Sequence, residues 1–305
     1  MFTPFADDDQ IDYAGLAAEA RYLMQAGVSG IVVGGSMGEG AGMSPAELER
    51  AVQTVIEAVA GTLPILGGII ADSSAEAVVL ARALKRAGAE GLQVPPPHFH
   101  VSAETAVLAD YYRAITDASG IPLLIYNVMP SAQAAIESLQ ELIDDNPAIV
   151  GIKQSGRNIH TLAALVAEMA GKIKIFSAID DMIYPSFMMG VDGTISGTSA
   201  IFPRETVIML NAVKAGDYEL ALSLHNKLAP VWRTVDSPDF CSRAKYAALM
   251  ANRPVGKPRR PFQWPTDATA KTIEAALRAG GLLKELVPSP MASELGTRAK
   301  VRAGD

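Results

Sequence analysis

Cysteine is nearly absent: Cys241 is the single one in 305 residues, which excludes an internal disulfide and fits a reducing compartment. Long apolar runs are missing as well. None approaches the ~20 residues that span a bilayer, and no charged segment followed by an apolar one opens the chain. The expectation is a cytoplasmic protein without a membrane partner. Positive charge is sparse, with 26 Lys and Arg against 33 Asp and Glu and a net charge of −7. The one basic cluster, Lys257-Pro258-Arg259-Arg260, lies in a proline-containing connector. Nucleic acid is therefore not an expected partner. Aromatic residues make up only 6%, which suits small, Ala-rich helices packed closely on strands. What remains is 49% hydrophobic and 19% charged, a globular composition that excludes disorder as the main state.

Short β-branched runs alternate with longer helical ones. Strands are predicted at 30–34, 64–69, 91–94, 122–127, 149–153, 174–177 and 193–196. Helices follow at 45–59, 74–85, 103–118, 136–144, 158–170, 181–189 and 203–215. Ser44-Pro45-Ala46-Glu47 reads as a capping box with proline at the first helical position. Seven strand-helix units with near-continuous apolar strands imply a sheet covered on both faces, either a (β/α)8 barrel or a doubly wound sheet. A barrel needs one more strand at the front, and Phe2-Thr3-Pro4-Phe5 supplies only its last residues before a helix at 13–25. Either that strand starts upstream or it is shortened. After Ala215 helices alone are predicted, at 218–231, 242–251 and 268–280. The division is a barrel over 1–215 that carries the active site, a helical extension over 216–285 and a loosely held tail over 286–305.

Within this frame the strand Ile149-Val150-Gly151-Ile152-Lys153 stands out because it ends in lysine. An ammonium is costly to desolvate, so a lysine closing an apolar strand is either snorkelling into solvent or serving chemistry. Desolvation frees an amine lone pair to attack a carbonyl and form a Schiff base. Tyr126 ends the preceding strand, and barrel sites gather at such ends; a phenol beside the amine can move the protons that imine formation needs. A core aromatic is the alternative for Tyr126. The turn Gly34-Gly35-Ser36-Met37-Gly38-Glu39-Gly40 is either a set of positive-φ positions or an anion cradle of backbone N–H groups and the Ser36 hydroxyl. Gly193 to Thr198 is a phosphate loop or a plain turn. Asp180-Asp181 is a polar pair in the site or a helix N-terminus. His98 and His100 offer two metal ligands, without a third His or Cys at suitable spacing; no metal is expected.

Together these motifs resemble the dihydrodipicolinate synthase / N-acetylneuraminate lyase family. Thr3-Pro4-Phe5, Gly35-Ser36-Met37-Gly38-Glu39, Ser44-Pro45-Ala46-Glu47, Val94-Pro95-Pro96, Tyr126-Asn127-Val128, Val150-Gly151-Ile152-Lys153 and Gly216-Asp217-Tyr218 carry the resemblance, from Thr3 to about Gly281. It implies a (β/α)8 TIM barrel with a C-terminal helical extension and a homotetramer built as a dimer of dimers. It further implies an imine on Lys153 with pyruvate or a related 2-oxo acid, and no cofactor. By the same resemblance Tyr126 is the proton shuttle and Ser36 binds the substrate carboxylate with the N–H groups of Ser36 and Met37. Ile195 places its carbonyl over the imine. Three departures matter. Met37 replaces a threonine, and His98 replaces a tyrosine reached from a neighbouring subunit. The synthase branch has an arginine shortly after Tyr-Asn-Val-Pro, where this chain reads Met129-Pro130-Ser131-Ala132-Gln133. A missing bidentate clamp for a second carboxylate argues against lysine biosynthesis. The stretch Ala178-Ile179-Asp180-Asp181 instead resembles the acidic pair that sugar-acid lyases of the family place on substrate hydroxyls. The expected activity is a class I lyase, an aldolase or dehydratase for hydroxylated 2-oxo acids, with His98, Ser131 and Asp180 setting specificity. The alternatives are 4-hydroxy-tetrahydrodipicolinate synthase, a metal-dependent aldolase using His98 and His100, and a barrel that binds 2-oxo acids without turning them over.

Overall fold

The computed structural model of the chain describes residues 1–97, 104–128, 133–156, 158–253 and 255–283. Helix α1 (Tyr13–Gln25) leads into strand β1 (Ile31–Val33), α2 (Pro45–Val59), β2 (Ile65–Gly68), α3 (Ser74–Ala87) and β3 (Gly91–Val94). Then come α4 (Thr105–Ser119), β4 (Leu123–Asn127), α5 (Ile136–Asp145), β5 (Ile149–Gln154), α6 (Ile159–Met169) and β6 (Lys174–Ser177). The last part holds α7 (Ile183–Met188), β7 (Gly193–Thr194), α8 (Gly197–Ile201), α9 (Pro203–Ala215), α10 (Tyr218–Val235), α11 (Phe240–Met250) and α12 (Asp267–Ala279).

The seven strands lie side by side in chain order and every pair is parallel. Each crossover is made by helical chain, as parallel pairing requires, and the sheet curls in the manner of a TIM barrel. Among the described residues the front of the chain forms no strand ladder. Phe5 makes isolated antiparallel bridges to Ile11 and Lys257, while the Met1 N–H donates to the Val32 carbonyl at 3.0 Å. Thus the segment 1–5 runs beside β1 without pairing as a strand.

Local chemistry accounts for the element ends. Ser44 Oγ accepts the Glu47 N–H at 3.2 Å and Glu47 Oε2 accepts the Ser44 N–H at 2.9 Å, the predicted reciprocal cap of α2. The last strand is shorter than predicted because Ser196 caps α8, exchanging bonds with Ser199. The predicted helix at 181–189 divides into a 3-10 turn, Asp180–Met182, and α7.

Strand side chains such as Ile31, Ile65, Leu92, Ile125, Ile152 and Ile175 are essentially sealed from solvent, each contributing roughly 1.5–3 kcal/mol of apolar burial. Helix α3 approaches β2 so closely that a Cβ on Gly67 would come within 2.3 Å of Leu84. The helices after β7 are fastened back onto the front of the chain. Arg253 donates to the Ala200 and Ile201 carbonyls at 2.5 and 2.6 Å and pairs with buried Glu19 of α1. Among the described residues no helix is long and apolar enough to cross a membrane.

Candidate active site

At the C-terminal ends of the strands lies a cavity of about 260 Å³. Parallel pairing sets its chemistry: Tyr126 on β4 is the direct register partner of Lys153 on β5, so both side chains leave the same face of neighbouring strands. Both are buried, 6% and 7% exposed, and both line the cavity. The Lys153 Nζ sits 3.5 Å from the centroid of the Tyr126 ring, held over the aromatic face by a cation–π contact. Among the described residues no carboxylate forms an ion pair with Lys153. Its amine therefore faces the cavity rather than being neutralised in a structural pair.

The Gly-rich segment after β1 folds into a 3-10 turn, Ser36–Gly38, whose internal bonds run from the Gly38 N–H to the Gly35 carbonyl and from the Glu39 N–H to the Ser36 carbonyl. Such a turn leaves the N–H groups of its first residues outside its own ladder. Ser36 and Met37, at that start, line the cavity, the arrangement needed for a carboxylate cradle. Glu39 then adopts a left-handed conformation, φ 57°, unusual for a side chain of this size.

That conformation is held from the far end of the chain. Lys245 of α11, fully buried, lies 2.5 Å from Glu39 Oε1 and donates to the Thr3 and Lys257 carbonyls, both at 2.7 Å. The Arg259 N–H donates to Glu39 Oε2 at 2.9 Å, and Cys241 Sγ donates to the Ser36 carbonyl at 3.1 Å. Burial pulls the Lys245 ammonium below its usual pKa, against the attraction of Glu39. The same burial raises the Cys241 thiol to about 12, so Cys241 stays protonated and serves as a donor, not as a nucleophile.

Asp180, expected in the specificity region, also lines the cavity. Its Oδ1 accepts the Thr198 N–H and its carbonyl accepts the Thr198 hydroxyl at 3.3 Å. Burial raises its pKa to about 7, opposed by the Thr198 bonds, by the Lys153 charge and by Ser196. It can thus carry or release a proton near neutrality. Asp181 points elsewhere, pairing with Arg233 of α10 at 3.7 Å. Ile195 contributes to the wall, and its N–H donates to the Ser177 carbonyl. The structure therefore gathers Lys153, Tyr126, Ser36, Met37, Asp180 and Ile195 around one cavity. His98 and Ser131 lie outside the described residues.

Three further wall residues come from the helices after the barrel: Trp232 and Asp236 at the end of α10, and Phe240 at the start of α11. Trp232 packs closely against the chain at Gly197, where a Cβ would meet the indole at 2.2 Å. No local pattern announces these residues, because they are far from Lys153 in sequence. Gln93 on β3 and Ser155 after β5 also line the cavity. Gln93 had a visible signal: a carboxamide inside the otherwise apolar run Gly91-Leu92-Gln93-Val94.

Comparison with known proteins agrees with this geometry. The profile of the Dihydrodipicolinate synthetase family matches residues 1–280. A protein of Methanosphaerula palustris named 4-hydroxy-tetrahydrodipicolinate synthase is 34% identical over 77% of this chain and 81% of its own. One of the same name from Methanopyrus kandleri is 28% identical over 93% and 96%. Among solved structures, the Escherichia coli K12 prophage protein YagE in complex with pyruvate superposes with a TM-score of 0.86 at 25% identity, over 92% of this chain and 96% of that one. With its seven-stranded parallel sheet, its strand-end lysine and a match over nearly its full length, the chain belongs to the Dihydrodipicolinate synthetase family.

Proposed function

We propose that the protein is a class I lyase that cleaves or dehydrates a hydroxylated 2-oxo acid through an imine on Lys153. The single observation that carries this reading is the buried Lys153 amine, stacked on Tyr126 inside the cavity and without a carboxylate partner among the described residues. The Lys153 lone pair attacks C2 of the oxo acid, the carbonyl oxygen is protonated and leaves as water, and a cationic imine remains. In the cleavage direction Tyr126 accepts the proton of the hydroxyl beside the breaking C–C bond. The bond electrons move into the imine to give an enamine, which is protonated at carbon and hydrolysed to free the oxo acid. Ser36 and the turn N–H groups fix the carboxylate. Asp180, with His98 and Ser131, receives the hydroxylated end.

No cofactor enters these steps. A homotetramer in the cytoplasm completes the proposal; exposed Tyr218, Leu220 and Leu222 at the start of α10 supply apolar surface for a neighbouring copy, and sedimentation measures the assembly. The test of activity is a panel of 2-oxo-3-deoxy sugar acids assayed for released pyruvate, with Lys153→Ala as control. Release that depends on Lys153 supports the proposal, and no release from any member counts against it.

The names of the relatives favour a second reading, 4-hydroxy-tetrahydrodipicolinate synthase, which joins pyruvate to aspartate semialdehyde by the same imine. Against it stands the missing arginine after Tyr126-Asn127-Val128. Robust turnover of the semialdehyde would establish this second activity.

A further inference from the structure

Gln93 is a buried polar side chain of the cavity that neither the fold nor the steps above have used. It is 2% exposed, and its Oε1 accepts no hydrogen bond. A polar atom buried without a partner is uncommon and points to a group that arrives from outside the protein. Its immediate rung offers no side-chain donor, because the register partners are Gly68 on β2 and Leu124 on β4. The carboxamide packs against Gly35, where a Cβ would lie 3.3 Å from Gln93 Nε2. It therefore borders the carboxylate cradle as well as the chamber below the amine.

The rung of Gln93 lies two residues beneath the Tyr126–Lys153 rung on the same face, about 6.6 Å along the strand direction. A glutamine side chain is long enough to bring its carboxamide up toward the reacting carbon. When the Lys153 amine adds to C2, the former carbonyl oxygen takes up a proton and becomes the hydroxyl of a carbinolamine. After a second protonation that oxygen departs as water while the nitrogen lone pair closes the C=N bond, and hydrolysis reverses the sequence. Both the hydroxyl and the water are O–H donors created beside Lys153.

We propose that Gln93 Oε1 accepts a hydrogen bond from an O–H group of the ligand in this chamber, in the first instance the hydroxyl formed at the imine carbon. Gln93 thereby deepens the imine mechanism and rests on it. A hydroxyl borne by the substrate chain is the other source of the same donor.

The test uses Gln93→Met, which keeps length and removes the acceptor. Wild-type and variant enzyme are mixed with pyruvate, trapped with borohydride by rapid quench, and the adduct on the Lys153 peptide is quantified. Pyruvate release from the best hydroxylated acid and the thermal midpoint are measured alongside. The expected result is an adduct forming about tenfold more slowly, the effect of one such bond, with a midpoint equal to or above wild type. Slower trapping with pyruvate identifies the carbinolamine hydroxyl as the donor. Normal trapping with slower cleavage of the hydroxylated acid identifies the substrate chain. Unchanged rates with both substrates overturn the proposal while leaving the imine intact. A lowered midpoint also overturns it, because Oε1 then has a structural partner. Absence of a wild-type adduct on Lys153 removes the imine and this proposal together.

Discussion

Replacing Asp180 by Asn should make the protein more stable, and only above a defined pH. An aspartyl carboxyl ordinarily ionises near 3.8, whereas burial moves Asp180 to about 7. Between those values the native state holds a proton that the unfolded chain has released. Wild-type stability from this group is thus fully present below pH 4, declines as pH rises and levels off above 7. Each tenfold change in proton affinity corresponds to about 1.4 kcal/mol, so the decline amounts to about 4 kcal/mol. Asparagine keeps Oδ1 to accept the Thr198 N–H and has no charge to desolvate. The two proteins should therefore match near pH 4, and Asp180→Asn should be the more stable by up to about 4 kcal/mol at pH 8. Urea unfolding at pH 4, 5.5, 7 and 8.5 reads this difference, and other titrating groups cancel in the comparison. A difference that does not vary with pH, or a variant less stable than wild type above pH 7, would refute the reasoning.

Three other substitutions probe separate parts of the account. Lys245→Met leaves the Glu39 carboxylate buried beside two carbonyls that have lost their donor; urea unfolding should show a loss of about 3–5 kcal/mol. Gly197→Ala drives a methyl group into the Trp232 indole, so calorimetry should find a loss of roughly 1–3 kcal/mol, with the KM for the hydroxylated acid raised as the wall shifts. Tyr126→Phe keeps the ring under the Lys153 amine and deletes the hydroxyl. Steady-state assays should show kcat reduced by about 10²–10⁴, with pyruvate still trapped on Lys153.

Much of the fold was legible because βα chemistry is local. Ser44, Pro45 and Glu47 specify the start of α2 by themselves, and short runs lying between helical segments mark every strand from β1 to β7. The Lys153–Tyr126 pair was legible for a topological reason: strands in chain order place consecutive strand ends side by side. Less could be read where the contact is distant in sequence. Lys245 meets Glu39 across about two hundred residues, and a lysine in a helix carries no local mark of complete burial. Trp232, Asp236 and Phe240 enter the cavity through the packing of α10 and α11, which periodicity does not direct. Gln93 was visible as a polar residue in a buried strand, yet its unpaired oxygen depends on partners from two other strands. The early end of β7 follows from a serine choosing to cap a helix, a competition between two local structures that the sequence pattern leaves balanced.

The decisive measurement is intact-mass and peptide analysis after the enzyme is reduced with borohydride in the presence of pyruvate. One equivalent of reduced pyruvate on the peptide that contains Lys153, absent in Lys153→Ala, is the predicted outcome. No adduct, or an adduct on Lys245 or any other lysine, would contradict the assignment of this buried amine as the nucleophile.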